Sequence, residues 1–215
     1  LFISIPKMKA HRYAVFSMGI KGMQGTVMTG DAAPAFHQKW RMHRELDLKK
    51  LKGEANRRAY VDSLGTFAER IADVLEVSAP HVVIAEGAPA MGGDGFSRQW
   101  PTKESVAIAG TNPIRVDRVI AQYLGFWKNE ALGKELLGNT TSPLLTKAAK
   151  RFRVDIESPT LAGNGASQTD VSHWSPSFEG AWATNVSLSR PHIAFGDSKG
   201  NVLIVDQRSS AVLKV

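Results

Sequence analysis

From Arg57 to Val77, the residues Val61, Leu64, Phe67, Ala68, Ile71, Ala72 and Leu75 recur at helical spacing. Asp62, Glu69, Arg70, Asp73 and Glu76 take much of the opposite face. Directly after this helix Pro80 ends the connection, and His81-Val82-Val83-Ile84-Ala85 follows as a short β-branched run bounded by proline and glycine, the pattern of a buried strand. A long amphipathic helix feeding a buried strand constrains the fold more than any other feature, because each element must bury its apolar side on the other kind of layer. The expected class is α/β: a mixed or mostly parallel sheet flanked by helices, with a small β-rich C-terminal tail.

The remaining pattern fits that class. Residues 2 to 5 alternate as a strand and Pro6 stops the ladder, so Lys7 to His11 are expected to emerge from a strand end into a loop. Tyr13 to Met18 reads as the start of a short helix broken by Gly19, Gly22 and Gly25, and Gly25 to Pro34 reads as a loop. Glu86 to Gly95 is expected to be a glycine-rich loop at a strand end, and Ser105 to Ala109 a second strand. A helix then starts at N-cap Asn112 with Pro113 at its first position and ends at Gly125. Residues 128–137 and 143–152 read as two further helices. Beyond about residue 158 the texture turns to Ser, Gly, Asn and Thr with Trp174 and Trp182, so residues 1–157 are read as the α/β domain and 158–215 as a linker plus a short meander. The meander strands are expected at His192 to Phe195, Val202 to Val205 and Ala211 to Val215.

Composition narrows the chemistry. The 215 residues include no cysteine, which excludes disulfides, Cys-ligated zinc and an iron–sulfur cluster held by this chain. No apolar run approaches the roughly 18–20 residues of a membrane helix, and no sequence signal assigns a compartment, leaving the cytoplasm as the default. Lys plus Arg exceed Asp plus Glu by 27 to 20, a net charge of +7 that favours acidic partners. Much of this excess lies between Lys39 and Arg58, where a solvated helix face competes with a polyanion-binding surface as the explanation.

Candidate site residues concentrate near the start. Lys7, Lys9 and His11 follow Pro6, and Lys21 lies among Gly19, Gly22 and Gly25. A lysine beside permissive backbone holds a carboxylate or phosphate as a point charge, and a histidine near its reference pKa exchanges protons near neutrality. Catalytic roles are assigned to His11 and Lys21, and ligand binding to Lys7, Lys9, Gly22, Gly25, Gly93 and Gly95. The alternative is that these lysines are ordinary surface residues and His11 a structural histidine. Glu86 and Asp94 flank the second glycine-rich stretch and, with His37, form the candidate set for a divalent metal. Neither glycine stretch carries a dinucleotide or phosphate-loop fingerprint. Asp117 is expected to be a structural carboxylate turned toward the packed face of its helix, with Arg115 and Arg118 as partners or solvated.

Taken in order, Pro6-Lys7-x-Lys9-x-His11, the Lys21-Gly22 step, His37, a helix, a strand ending Glu86-Gly87, Met91-x-Gly93-x-Gly95, a strand ending at Gly110 and a helix carrying Asp117 resemble the family known as domain of unknown function 362 (DUF362). The resemblance covers about residues 3 to 130 and implies a fold and a site location but no established reaction. Family members often carry Asn after the first-loop lysine and Asp at the strand end, where this chain has Gly22 and Glu86. They usually also have an upstream strand-and-helix half, and many have a cysteine-rich ferredoxin-like region. The resemblance therefore implies a domain incomplete at its amino end and associated with iron–sulfur redox proteins whose cluster lies elsewhere.

Two functional classes follow. The leading expectation is an enzyme-like domain that gathers His11, Lys9, Lys21, Glu86 and Asp94 around a small anionic molecule or a metal ion. The alternative is a basic interaction module binding nucleic acid or an acidic partner through residues 39 to 58, or a structural part of a larger protein.

Overall fold

A computed structural model describes residues 1–27, 38–43, 54–93, 95, 99–158, 191–196, 202–206 and 211–214. The organising element is β4, Val82–Gly93, against which four other strands pair. Along one edge run β1 (Ile3–Ser4) and β2 (Lys7–His11), both parallel to it, and β3 (Val15–Ser17) then pairs antiparallel with β2. Along the other edge lie β6 (Val106–Gly110) and β5 (Gln99–Pro101), both antiparallel. The sheet is mixed, and the fold class is α/β.

Three local expectations are corrected. Pro6 interrupts the ladder for a step only: the Glu86 N–H donates to the Pro6 carbonyl at 2.9 Å and pairing resumes at Lys7, so Lys7 to His11 form a strand rather than a loop. Tyr13 to Met18 contributes β3 of a tight hairpin instead of a helix, because its residues are buried on both faces and give no alternation to read. The glycine-rich stretch from Glu86 continues as strand to Gly93. Its irregularity appears as a bulge: between the Lys7↔Glu86 and Lys9↔Met91 pairs β2 advances two residues and β4 five.

The helices are α1 (Gly19–Gly22), running into a 3-10 turn at Met23–Thr26, α2 (Gln38–Arg41), α3 (Glu54–Ser78), α4 (Pro113–Tyr123), α5 (Glu130–Glu135) and α6 (Pro143–Arg151). The long amphipathic helix is α3, and its apolar residues Leu64, Phe67, Ala68, Ile71 and Leu75 are buried. Its acidic residues meet α6: Lys147 pairs with Glu69 at 2.6 Å, and Arg151 with Asp73 at 2.5 Å and with Glu76. Asn112 caps α4 by accepting from Ile114 N and Arg115 N. At its far end Gly125 adopts φ 79°, and the Gly125 and Phe126 N–H groups donate to Gln122 O and Ala121 O, which together form a Schellman motif.

Helical packing covers one face of the sheet. Val83, Ala85 and Met8 point to that face and are fully buried, whereas Ala107 and Ala109 on the opposite face are exposed and Glu86 is partly so. β7 (Pro191–Gly196), β8 (Val202–Asp206) and β9 (Ala211–Lys214) form a separate antiparallel sheet in sequence order, as the terminal pattern predicts. The expected linker beyond Ser158, with Trp174 and Trp182, lies outside the described residues.

Candidate functional site

Because β2 is a strand, Lys9 and His11 project from the same face of it. His11 is 3% exposed. Its Nδ1 accepts the Tyr13 N–H at 3.1 Å, which leaves the ring proton on Nε2, and its ring lies 5.4 Å from that of Tyr13. Gly95, at φ 92°, packs on the other side so closely that a Cβ there would sit 2.7 Å from His11 Cδ2. Burial, reinforced by the charges of Lys21 and Lys9, holds the His11 pKa well below its ordinary value. That shift favours the neutral ring, a hydrogen-bonding group with its proton on Nε2.

Lys21 sits on α1 and is 5% exposed. This four-residue helix is held by Asp117 of α4, whose Oδ1 accepts the Gly19 N–H at 2.7 Å and whose Oδ2 accepts the Ile20 N–H at 3.0 Å. The contact spans 98 residues of sequence and requires a glycine at its first position, since a Cβ on Gly19 would meet Asp117 Oδ1 at 2.9 Å. Asp117 is thus a structural carboxylate, but one that caps another helix. Arg118 is no partner of it: the guanidinium lies 3.8 Å from the Trp127 ring centroid and Nε donates to Ile156 O.

Lys21 Nζ donates to Gln24 Oε1 at 2.9 Å. The amide is locked in that orientation, because Gln24 Nε2 donates to Lys39 O at 3.2 Å and to His43 Nε2 at 3.1 Å. His43 in turn stacks on Phe67 of α3 at 4.9 Å, and Lys21 Nζ lies 5.6 Å from the same Phe67 ring. Burial, then the nearby charges of Lys9 and Lys39, pushes the Lys21 pKa down to about 7. The same causes bring Lys9 to about 8, its charged neighbours being Lys39 and Lys7.

The other candidates take different places. Lys7 pairs with Glu86 at 2.7 Å, and the Ala88 N–H donates to the second oxygen of Glu86 at 2.7 Å, so this carboxylate has two donors of its own. Asp94 and His37 lie outside the described residues, and among the described residues no three His, Asp or Glu side chains converge. Gly22 and Gly25 face no crowded neighbour: a Cβ on Gly22 would meet ordinary contacts and one on Gly25 nothing within 4 Å. Gly93 adopts φ 101° at the end of β4. Of the basic stretch from Lys39 to Arg58, residues 44–53 lie outside the described residues, and Arg57 pairs with Glu135 at 3.5 Å.

Sequence reasoning missed Gln24, which with His43 orients Lys21, and Gln99, whose buried amide nitrogen lacks a hydrogen-bond partner among the described residues. Gln99 pairs with Gly93 across β4 and β5. No curated protein and no solved structure matches the chain. A family model does match, over residues 1–122, and with it more than half of the sequence: the chain belongs to the family described as a domain of unknown function, DUF362.

Proposed function

We propose that this domain binds a small anionic molecule through Lys9, His11 and Lys21. The observation that carries this reading is the environment of Lys21: a buried amine whose hydrogen-bond acceptor is a neutral amide and whose charged neighbours among the described residues are two more lysines. A buried ammonium is costly without a counter-charge, so near neutrality Lys21 gives up its proton in part, while the positive charge of Lys9 and Lys39 beside it attracts an entering anion. Lys9, half-buried on the adjoining strand, and Lys39 supply further positive charge, and the neutral His11 donates from Nε2. Glu86 stays outside the site because Lys7 already neutralises it.

Thermal unfolding at pH 7 with inorganic phosphate, citrate and malate tests the reading. At about 100 times its dissociation constant a bound anion stabilises by about 2.7 kcal/mol, or roughly 5–10 °C for a chain of this size. The wild type should show such a rise with at least one anion, and Lys21→Met should abolish it. Equal rises in both proteins, or none across the panel, would overturn the proposal. Stoichiometric metal retained by the untagged wild type would also overturn it, in favour of a metal centre.

A further inference from the structure

We infer that Lys21 is a covalent nucleophile, whose Nζ condenses with the carbonyl carbon of a small anionic carbonyl compound, a 2-oxo acid, to form an imine. The inference rests on the anion-binding reading and names its ligand class. A solvated lysine is protonated and has no lone pair to offer. Lys21 is buried, its hydrogen-bond partner Gln24 is uncharged, and its charged neighbours among the described residues, Lys9 and Lys39, are cations, so near pH 7 amine and ammonium are comparably populated. Position is fixed as well as protonation. The Asp117 carboxylate anchors the first turn of α1, and Gln24, itself clamped by Lys39 O and His43 Nε2, holds Nζ in place.

The chemistry closes with groups already present. The Nζ lone pair attacks the carbonyl carbon, the carbonyl π electrons move to oxygen, and one proton passes from nitrogen to that oxygen to give a carbinolamine. Lys9, predominantly an ammonium at pH 7, donates a proton to the departing hydroxyl. The C–O bond breaks, water leaves, and the remaining Nζ proton returns to Lys9 as the C=N bond forms. One water is released and nothing is oxidised or reduced. The carboxylate of a 2-oxo acid lies one bond from the reacting carbon, which suits a site whose cations adjoin the nucleophile.

The test uses the wild-type chain with pyruvate and sodium cyanoborohydride at pH 7, followed by peptide mapping of the reduced secondary amine. Lys21 should be labelled at least about tenfold faster than exposed Lys103 and Lys134, because an ordinary lysine is unprotonated only about once in 10³ at this pH. Phosphate should slow labelling at Lys21 alone. Labelling no faster at Lys21 than at Lys103, or falling on Lys9 instead, overturns the inference. Anion-dependent stabilisation with Lys21 unlabelled removes the imine and leaves the anion site standing, whereas loss of both removes both. Every readout comes from the wild type, so none depends on a variant folding.

Discussion

His11 shows how far a residue's environment resets its chemistry. Its two-residue spacing from Lys9 is legible in the sequence and survives intact, because β2 keeps both on one face. Its protonation is not legible, since that depends on Gly95 covering the ring and on Lys21 arriving from another element. Gly95→Ala therefore meets two obstacles, a left-handed backbone and a Cβ against the imidazole. We expect it to cost about 1–3 kcal/mol in urea unfolding; an unchanged midpoint would show that Gly95 does not rest on His11. Gln99 predicts the opposite sign. Its amide is 7% exposed with an unpartnered nitrogen, so Gln99→Leu should leave the free protein as stable or raise it by up to about 2 kcal/mol. A loss above 1 kcal/mol on the same measurement would mean that the amide is structurally satisfied.

At the scale of elements, the legible ones were those with a strong period or a local cap. The 3.6-residue spacing of α3, the Asn112-Pro113 start of α4 and the Gly125 end all stand, because their causes lie within a few residues. From sequence alone β3 reads as helix and the second half of β4 as loop. A fully buried three-residue strand has no alternation, and glycines that accommodate a bulge look the same in sequence as glycines of a loop. The cap on α1 was out of reach for a different reason, since donor and acceptor lie 98 residues apart. That cap makes a prediction at this scale. Asn offers one acceptor oxygen where Asp117 uses two, so Asp117→Asn should cost about 1–3 kcal/mol. Because α1 carries Lys21, the variant should also lose part of the anion-induced thermal shift. Full retention of that shift would uncouple the cap from the site.

Across the whole molecule, the two buried ionisable groups that flank α1 carry opposite charges and impose opposite slopes on stability. Burial raises Asp117 to about 7, so between about pH 4 and 7 the folded state holds a proton that the unfolded chain releases, and stability falls as pH rises. Lys21 is lowered to about 7, so between about pH 7 and 10 the unfolded chain holds the extra proton, and stability rises with pH. Together they carve a minimum near neutrality, the condition in which both groups are partly charged and neither has its pKa shifted by an opposite charge among the described residues. Urea unfolding from pH 5 to 10 tests this. Lys21→Met should flatten the limb above pH 7 and leave the lower limb unchanged, while Asp117→Asn should do the reverse. Saturating phosphate should also flatten the upper limb in the wild type, because a phosphate dianion held beside Lys21 favours its ammonium and lifts its pKa back toward that of the unfolded chain. If the upper limb is identical with Lys21→Met, the amine is not the buried, proton-poor group on which both the anion site and the imine depend.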